Sequence, residues 1–266
     1  MAATLAQLAL NGYFRQDMQI SKKHVLITGA GKRLGRAIAE KLLPYGINLS
    51  AHCHSSRQET EELVATGKRH SSSVHVVQGG LAKVSEVRAS AASAIAKFGP
   101  VEILINSASI FYPTPLEKVT EENWDDLMNV NLKGQFFLAQ ACAAALVEKK
   151  RPGVFINLVD VNAQKTLPHF TPYVCSKAGL WMMTRNLARE LAPLIRVNSI
   201  SPGPVLLPEN YTDAQRQRSE DKTLLKRLGT PQDIAEAAVF LIENDYMTGQ
   251  DLAVDGGRSL ADGLSG

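Results

Sequence analysis

The sequence predicts an α/β fold: one doubly wound parallel sheet of about seven strands with helices on both faces. Three observations carry that expectation. Short β-branched apolar runs alternate with helical patterns along nearly the whole chain. The first of these runs leads straight into a glycine-rich turn and then a helix. No repeat, low-complexity segment or linker divides the 266 residues, a length that many single α/β domains reach.

The elements follow in order. HVLIT (24–28) is the first strand, and RAIAEKLLPYG (36–46) has helical spacing behind the turn. INLSAH is the second strand, and the chain turns helical from Arg57. VHVVQ is the third strand, with a helix running to Lys97, and VEILI is the fourth. A long helical pattern over 121–149 is entered by T-E-E-N with Thr120 as N-cap. GVFINLV is the fifth strand, followed by a long helix over 171–192. IRVNSI is the sixth. TPQDIAEAAVFLI starts a helix with Thr230 as N-cap, Pro231 at the first position and Asp233 three residues on. DLAVDGG supplies the last strand. Residues 1–22 form an N-terminal extension and 23–266 a single domain. The polar, proline-bearing stretch 204–222 reads as a lid over one edge of the sheet.

Composition narrows the function classes. The net charge is only +3 and no basic run carries interleaved aromatics, so no nucleic-acid partner is expected. No apolar run reaches the ~18–20 residues of a membrane span. The short apolar portion near the N-terminus follows no basic residues and reads poorly as a signal peptide. Three cysteines, Cys53, Cys142 and Cys175, form no C-x-x-C, which fits reduced thiols and a cytoplasmic location.

The first turn is T-G-A-G-K-R-L-G, with Gly29, Gly31 and Gly35 at spacings of two and four, carrying Lys32, Arg33 and Leu34 between the last two. Small residues there let the backbone bend around a pyrophosphate while the next helix aims its amides at it. NAD-type sites place an acid near the end of the second strand to hold a ribose hydroxyl. This chain has His52, His54, Ser55, Ser56 and Arg57 there, with no acid. Cations and hydroxyls suit a 2′-phosphate, so NADP(H) is the expected cofactor. His52 and His54 share a strand face without a third ligand nearby, so no metal is expected.

Tyr173 and Lys177 are four apart on a helix and share a face. A neighbouring ammonium favours a phenolate, so the lysine is expected to lower the tyrosine pKa and make it a usable acid and base. With the surrounding motifs, the chain resembles the short-chain dehydrogenase/reductases over Lys23 to about Leu260. The motifs are TGAGKRLG, NSAS (106–109), Asn131 in NVNLKG, YVCSK, RVNSISPG (196–203) and VDGG (254–257). The resemblance implies a Rossmann-type fold, with Asn131, Tyr173 and Lys177 as catalytic residues and Lys177 also holding the nicotinamide ribose. Asn106, Ser107, Ala108, Pro202 and Gly203 are then expected along the cofactor.

Two departures stand out. The serine that the family places thirteen residues before its tyrosine is Asp160 here, and the acid that usually follows the third strand is Gly80. Asp160 suits reduction of a C=N bond, whose nitrogen needs a proton. With Arg33, Ser109 and Phe111 it resembles the pteridine reductase branch. That resemblance implies NADPH-dependent reduction of a pterin, with Arg33, Ser109, Phe111, Asp160 and Tyr173 around the substrate. The alternative is a carbonyl reductase of oxoacyl thioesters or small ketones, and a non-catalytic nucleotide-binding protein is the third reading. Relatives are commonly homotetramers paired through long helices such as 121–149 and 172–192.

Overall fold

The computed structural model describes residues 18–207 and 211–261. Seven strands, all parallel, form one sheet in the order β3-β2-β1-β4-β5-β6-β7. They are β1 His24–Thr28, β2 Asn48–Cys53, β3 Ser73–Gln78, β4 Ile103–Asn106, β5 Gly153–Leu158, β6 Ile195–Pro202 and β7 Asp251–Val254. Each expected strand is present, with ends displaced by no more than a few residues. Consecutive strands in a parallel sheet need crossovers, and here these carry α1 Arg33–Leu42, α2 Arg57–Arg69, α3 Val84–Phe98, α4 Glu121–Glu148, α5 Thr171–Leu191, α6 Asp213–Asp221 and α7 Pro231–Glu243.

Both faces of the sheet are covered, which is why its strands read as continuous apolar runs rather than alternating ones. One core joins Val25, Ile27, Ile103, Ile105, Val154 and Ile156 to α1 and α7. The other joins Leu26, Leu104, Phe155 and Val197 to α3, α4 and α5. Helix α4 is long and apolar enough to cross a bilayer by composition, but half of its apolar window is buried against the sheet through residues such as Leu138, Cys142 and Leu146.

The helix starts follow their sequence signals. Thr120 and Thr230 each close a capping box, with Asn123 and Asp233 as the reciprocal partners. The excursion over 204–222, expected as a lid without regular structure, contains α6. Thr212 and Gln215 close a third capping box there, and no α6 residue is buried. Residues 1–17, most of the expected extension, and 208–210 of the expected lid lie outside the described residues.

The N-terminal edge of the sheet is pinned by a buried acid. Glu102 is 3% exposed and accepts from Lys23 Nζ at 2.9 Å, Arg151 at 2.8 Å and the His24 amide at 3.1 Å. The two cations are partly solvated, so losing them strands a carboxylate, whereas losing the acid strands nothing charged in the interior. The double variant Lys23→Ala/Arg151→Ala is therefore expected to lose about 3–5 kcal/mol in urea denaturation. Glu102→Gln should lose about 1–3 kcal/mol, and the reverse ranking would contradict this view of the cluster.

Candidate active site

Strand order reverses between β1 and β4, and the loops leaving their C-terminal ends diverge to open a crevice. The β1–α1 turn forms one wall. Gly29 lies at φ +68° against Ala108, and a Cβ on Gly35 would meet the Gly29 carbonyl at 2.3 Å. A Cβ on Gly31 would meet Thr60 Oγ1 at 2.3 Å, so only glycine allows the turn to close onto α2. The α1 N-cap, Lys32, offers no side-chain hydrogen bond to the first-turn amides. Amides at a helix N-terminus point outward as donors, and a dinucleotide pyrophosphate fits them.

The cations expected at the 2′-phosphate lie at the rim. Lys32 is exposed and paired with Glu59 at 2.6 Å, and Arg57 is exposed and shared between Glu61 and Gln78. Ser55 and Ser56 are at the same rim, with His54 exposed beside them. His52 corrects the expectation: its ring is 1% exposed in the sheet, where burial pushes its pKa down to about 4. Its carbonyl accepts the Ala30 amide and braces the turn, but its side chain does not reach the crevice. The Asn106 side chain is also interior, donating to Asn157 at 2.8 Å across β4 and β5. The Ser107 and Ala108 amides both donate to Thr28 Oγ1, which fixes the β4 loop against the glycine turn. Pro202 ends β6 and Gly203 follows it, at the same C-terminal end of the sheet, and Leu34 is half-buried in the first turn of α1.

Arg33 opens α1 with a left-handed backbone, φ 53°. A glycine would take that conformation freely, and a non-glycine residue there costs of order 1 kcal/mol or more. The side chain stays exposed and its guanidinium donates to the Leu206 carbonyl at 3.1 Å. Arg33 thereby links the cofactor turn to the segment leaving β6.

The four catalytic candidates converge from three elements. Asp160 follows β5 and caps a 3₁₀ turn, Val161–Gln164, its Oδ1 accepting from the Asn162 amide at 2.7 Å and from Asn162 Nδ2 at 2.8 Å. Tyr173 and Lys177 sit one turn apart at the start of α5, both buried. The tyrosine hydroxyl donates to Asp160 Oδ2 at 2.7 Å. Lys177 Nζ donates to the Leu158 carbonyl at 2.8 Å and lies 5.9 Å from the Tyr173 ring centre. Asn131 sits in a π turn, Asn129–Lys133, that interrupts α4. Its Oδ1 accepts from Ser109 Oγ at 3.1 Å and the Ile110 amide at 2.9 Å, and its Nδ2 donates to the Ile110 carbonyl and Ser176 Oγ. A π turn re-aims one side chain of an otherwise regular helix, and here it ties the β4 loop to α5.

The electrostatics overturn one expectation. Tyr173 is raised well above the ordinary phenol value, first by burial, then by the charge of Asp160 and the hydrogen bond to it. The lysine does not win this contest, because its ammonium is turned to Leu158. Burial also pulls Lys177 down to about 8, against a smaller upward pull from Asp160. The tyrosine is therefore held as a proton-bearing acid, which suits reduction. Because Lys177 carries its charge below about pH 8 and loses it above, kcat/KM for the dinucleotide is expected to fall above about pH 8. A flat profile to pH 10 would refute that role.

Phe111 is 51% exposed and stacks on Phe170, with centroids 4.5 Å apart and planes at 7°. It also meets the Tyr173 ring edge-on at 4.7 Å. Phe170 went unnoticed in the sequence, although its place immediately before T-P at the start of α5 aligns it with Tyr173.

A dinucleotide crevice joined to a Tyr–Lys–Asn group defines a nicotinamide-dependent oxidoreductase. The family model described as "Enoyl-(Acyl carrier protein) reductase" matches residues 29–259. The chain belongs to the short-chain dehydrogenase/reductase family. It is 34% identical to 3beta-hydroxysteroid dehydrogenase 1 of Eggerthella lenta over 91% of this chain and 95% of that protein. It is 34% identical to the 3-oxoacyl-(acyl-carrier-protein) reductase FabG of Staphylococcus epidermidis over 88% and 98%. The crystal structure of FolM Alternative dihydrofolate reductase 1 from Brucella canis, complexed with NADP, superposes with a TM-score of 0.83 at 34% identity, covering 91% of this chain and 96% of that one. The expected cofactor, NADP(H), agrees with that complex and with the acid-free end of β2.

Proposed function

We propose that this protein is an NADPH-dependent pterin reductase acting on the C=N bond of a dihydropterin or related pterin. The observation that carries the reading is the 2.7 Å hydrogen bond from the Tyr173 hydroxyl to Asp160, at the place where the family has a serine. The bound cofactor supplies hydride to the carbon of the C=N bond. The nitrogen then needs a proton, and Tyr173, held protonated, is placed to give it. Asp160 accepts a hydrogen bond from that hydroxyl and aims it, and the proton that Tyr173 delivers is replaced from solvent. Lys177 would hold the ribose hydroxyls of the cofactor. Asn131 keeps the β4 loop, with Ser109 and Phe111, registered against α5.

The aromatic surface of Phe111 and Phe170 suits a flat bicyclic ring. Arg33, whose exposed guanidinium donates to the Leu206 carbonyl, is the donor assigned to the ring's polar edge. The likeness to the Brucella protein supports this reading. The second reading, reduction of an oxoacyl thioester or small ketone, is favoured by the equal identity to the FabG and steroid dehydrogenase relatives. A purely nucleotide-binding role sits poorly with the assembled Tyr–Lys–Asn group. The working form is a cytoplasmic homotetramer, with exposed Trp124 and Phe136 on α4 and Met182 on α5 as the apolar contacts. The test is NADPH oxidation by the purified protein with a 7,8-dihydropterin or an acetoacetyl thioester as sole substrate. Turnover of the thioester alone would transfer the assignment to the second reading.

A further inference from the structure

The family's acid after β3 is replaced here by Gly80, yet a carboxylate still stands at that place. A Cβ on Gly80 would meet Glu86 Oε2 at 2.7 Å, with His54 Cδ2 at 3.8 Å on the other side. Glu86 lies in the first turn of α3 and folds back so that Oε2 accepts the Gly80 amide at 2.8 Å. A side chain at position 80 and the Glu86 carboxylate are thus mutually exclusive occupants of one space. Gly80 is not in the left-handed backbone region, so glycine is required by that occupancy and not by the turn. The remaining oxygen, Oε1, lies 3.7 Å from the exposed Lys83 ammonium, and the Glu86 side chain is 44% exposed and open to a ligand.

The location gives this carboxylate a task. With the pyrophosphate on the α1 amides and the ribose at the end of β2, the attached base reaches the end of the next strand, β3. We propose that Glu86 recognises the exocyclic amine of the cofactor's adenine, taking over from α3 the role that a residue following β3 would otherwise hold. This rests on NADP(H) being the cofactor. A carboxylate accepts from the amine's N–H and repels the carbonyl oxygen that hypoxanthine carries at the same position.

The experiment is direct titration of the full-length protein, by fluorescence or calorimetry and without substrate, with NADPH and with its hypoxanthine analogue. Hydrogen bonds to a charged group correspond to about ten- to hundredfold in affinity, and the wild-type protein is expected to prefer the adenine cofactor by that factor. Glu86→Ala should bind the two alike. Glu86→Gln should reverse the preference, because its amide oxygen keeps the Gly80 N–H and its NH₂ faces the base. Glu86→Ala/Gly80→Asp should restore the preference by returning an acid to residue 80. Equal wild-type affinities, or discrimination that survives in Glu86→Ala, would overturn the assignment and leave Glu86 as a loop brace. Binding of neither dinucleotide would overturn the cofactor reading as well.

Discussion

Tyr173→Phe is expected to lower kcat by about a thousandfold while leaving NADPH affinity close to wild type. General acid catalysis by a positioned side chain contributes about 10²–10⁴, and this hydroxyl is the one buried acid that both contacts Asp160 and stands beside Phe111. The fold should tolerate the change. The phenyl ring keeps its edge contact with Phe111, and Asp160 retains Asn162 on its other oxygen. Stopped-flow turnover with a separate dinucleotide titration checks both halves. A variant with more than a tenth of wild-type turnover would remove Tyr173 from the mechanism.

Asp160→Ser is expected to reduce pterin turnover by about a hundredfold, within the same range for one proton-transfer group. It also carries a spectroscopic signature that a merely structural residue would not give. Two of the three influences raising the Tyr173 pKa come from Asp160, so ultraviolet titration should find the phenol ionising at lower pH in the variant, with burial still holding it up. Asp160 also supports the Lys177 charge. Its loss should move the alkaline limb of kcat/KM below about pH 8. Unchanged turnover together with an unchanged phenol titration would show that the aspartate is a loop cap and nothing more.

The fold was readable because its determinants are local. β1, β4, β5 and β6 are buried runs carrying Val or Ile, and the starts of α4 and α7 are written in T-x-x-N and T-P-x-D boxes. α6 was missed because its residues are almost entirely polar and bury nothing, so no apolar period marks it. The site was readable where spacing alone fixes neighbours, as for Tyr173 and Lys177 on one face of α5. It was misread where burial decides. His52 lies inside the sheet whereas His54 follows the end of β2 at the exposed rim, and the sign of the Tyr173 shift follows from depth and from Asp160, which no pattern of letters displays. Phe170 and Glu86 were missed because their partners, Phe111 and Gly80, arrive from other elements.

The central claim is that Asp160 and Tyr173 form a proton-delivery pair for a C=N bond. The measurement that tests it most directly is kcat/KM for a 7,8-dihydropterin and for an acetoacetyl thioester, taken on one preparation by the loss of NADPH absorbance and repeated with Asp160→Ser. The account predicts that the wild-type protein favours the pterin and that the serine variant loses pterin turnover far more than thioester turnover. A wild-type protein that favours the thioester, with a serine variant equal to it on both substrates, would contradict the account.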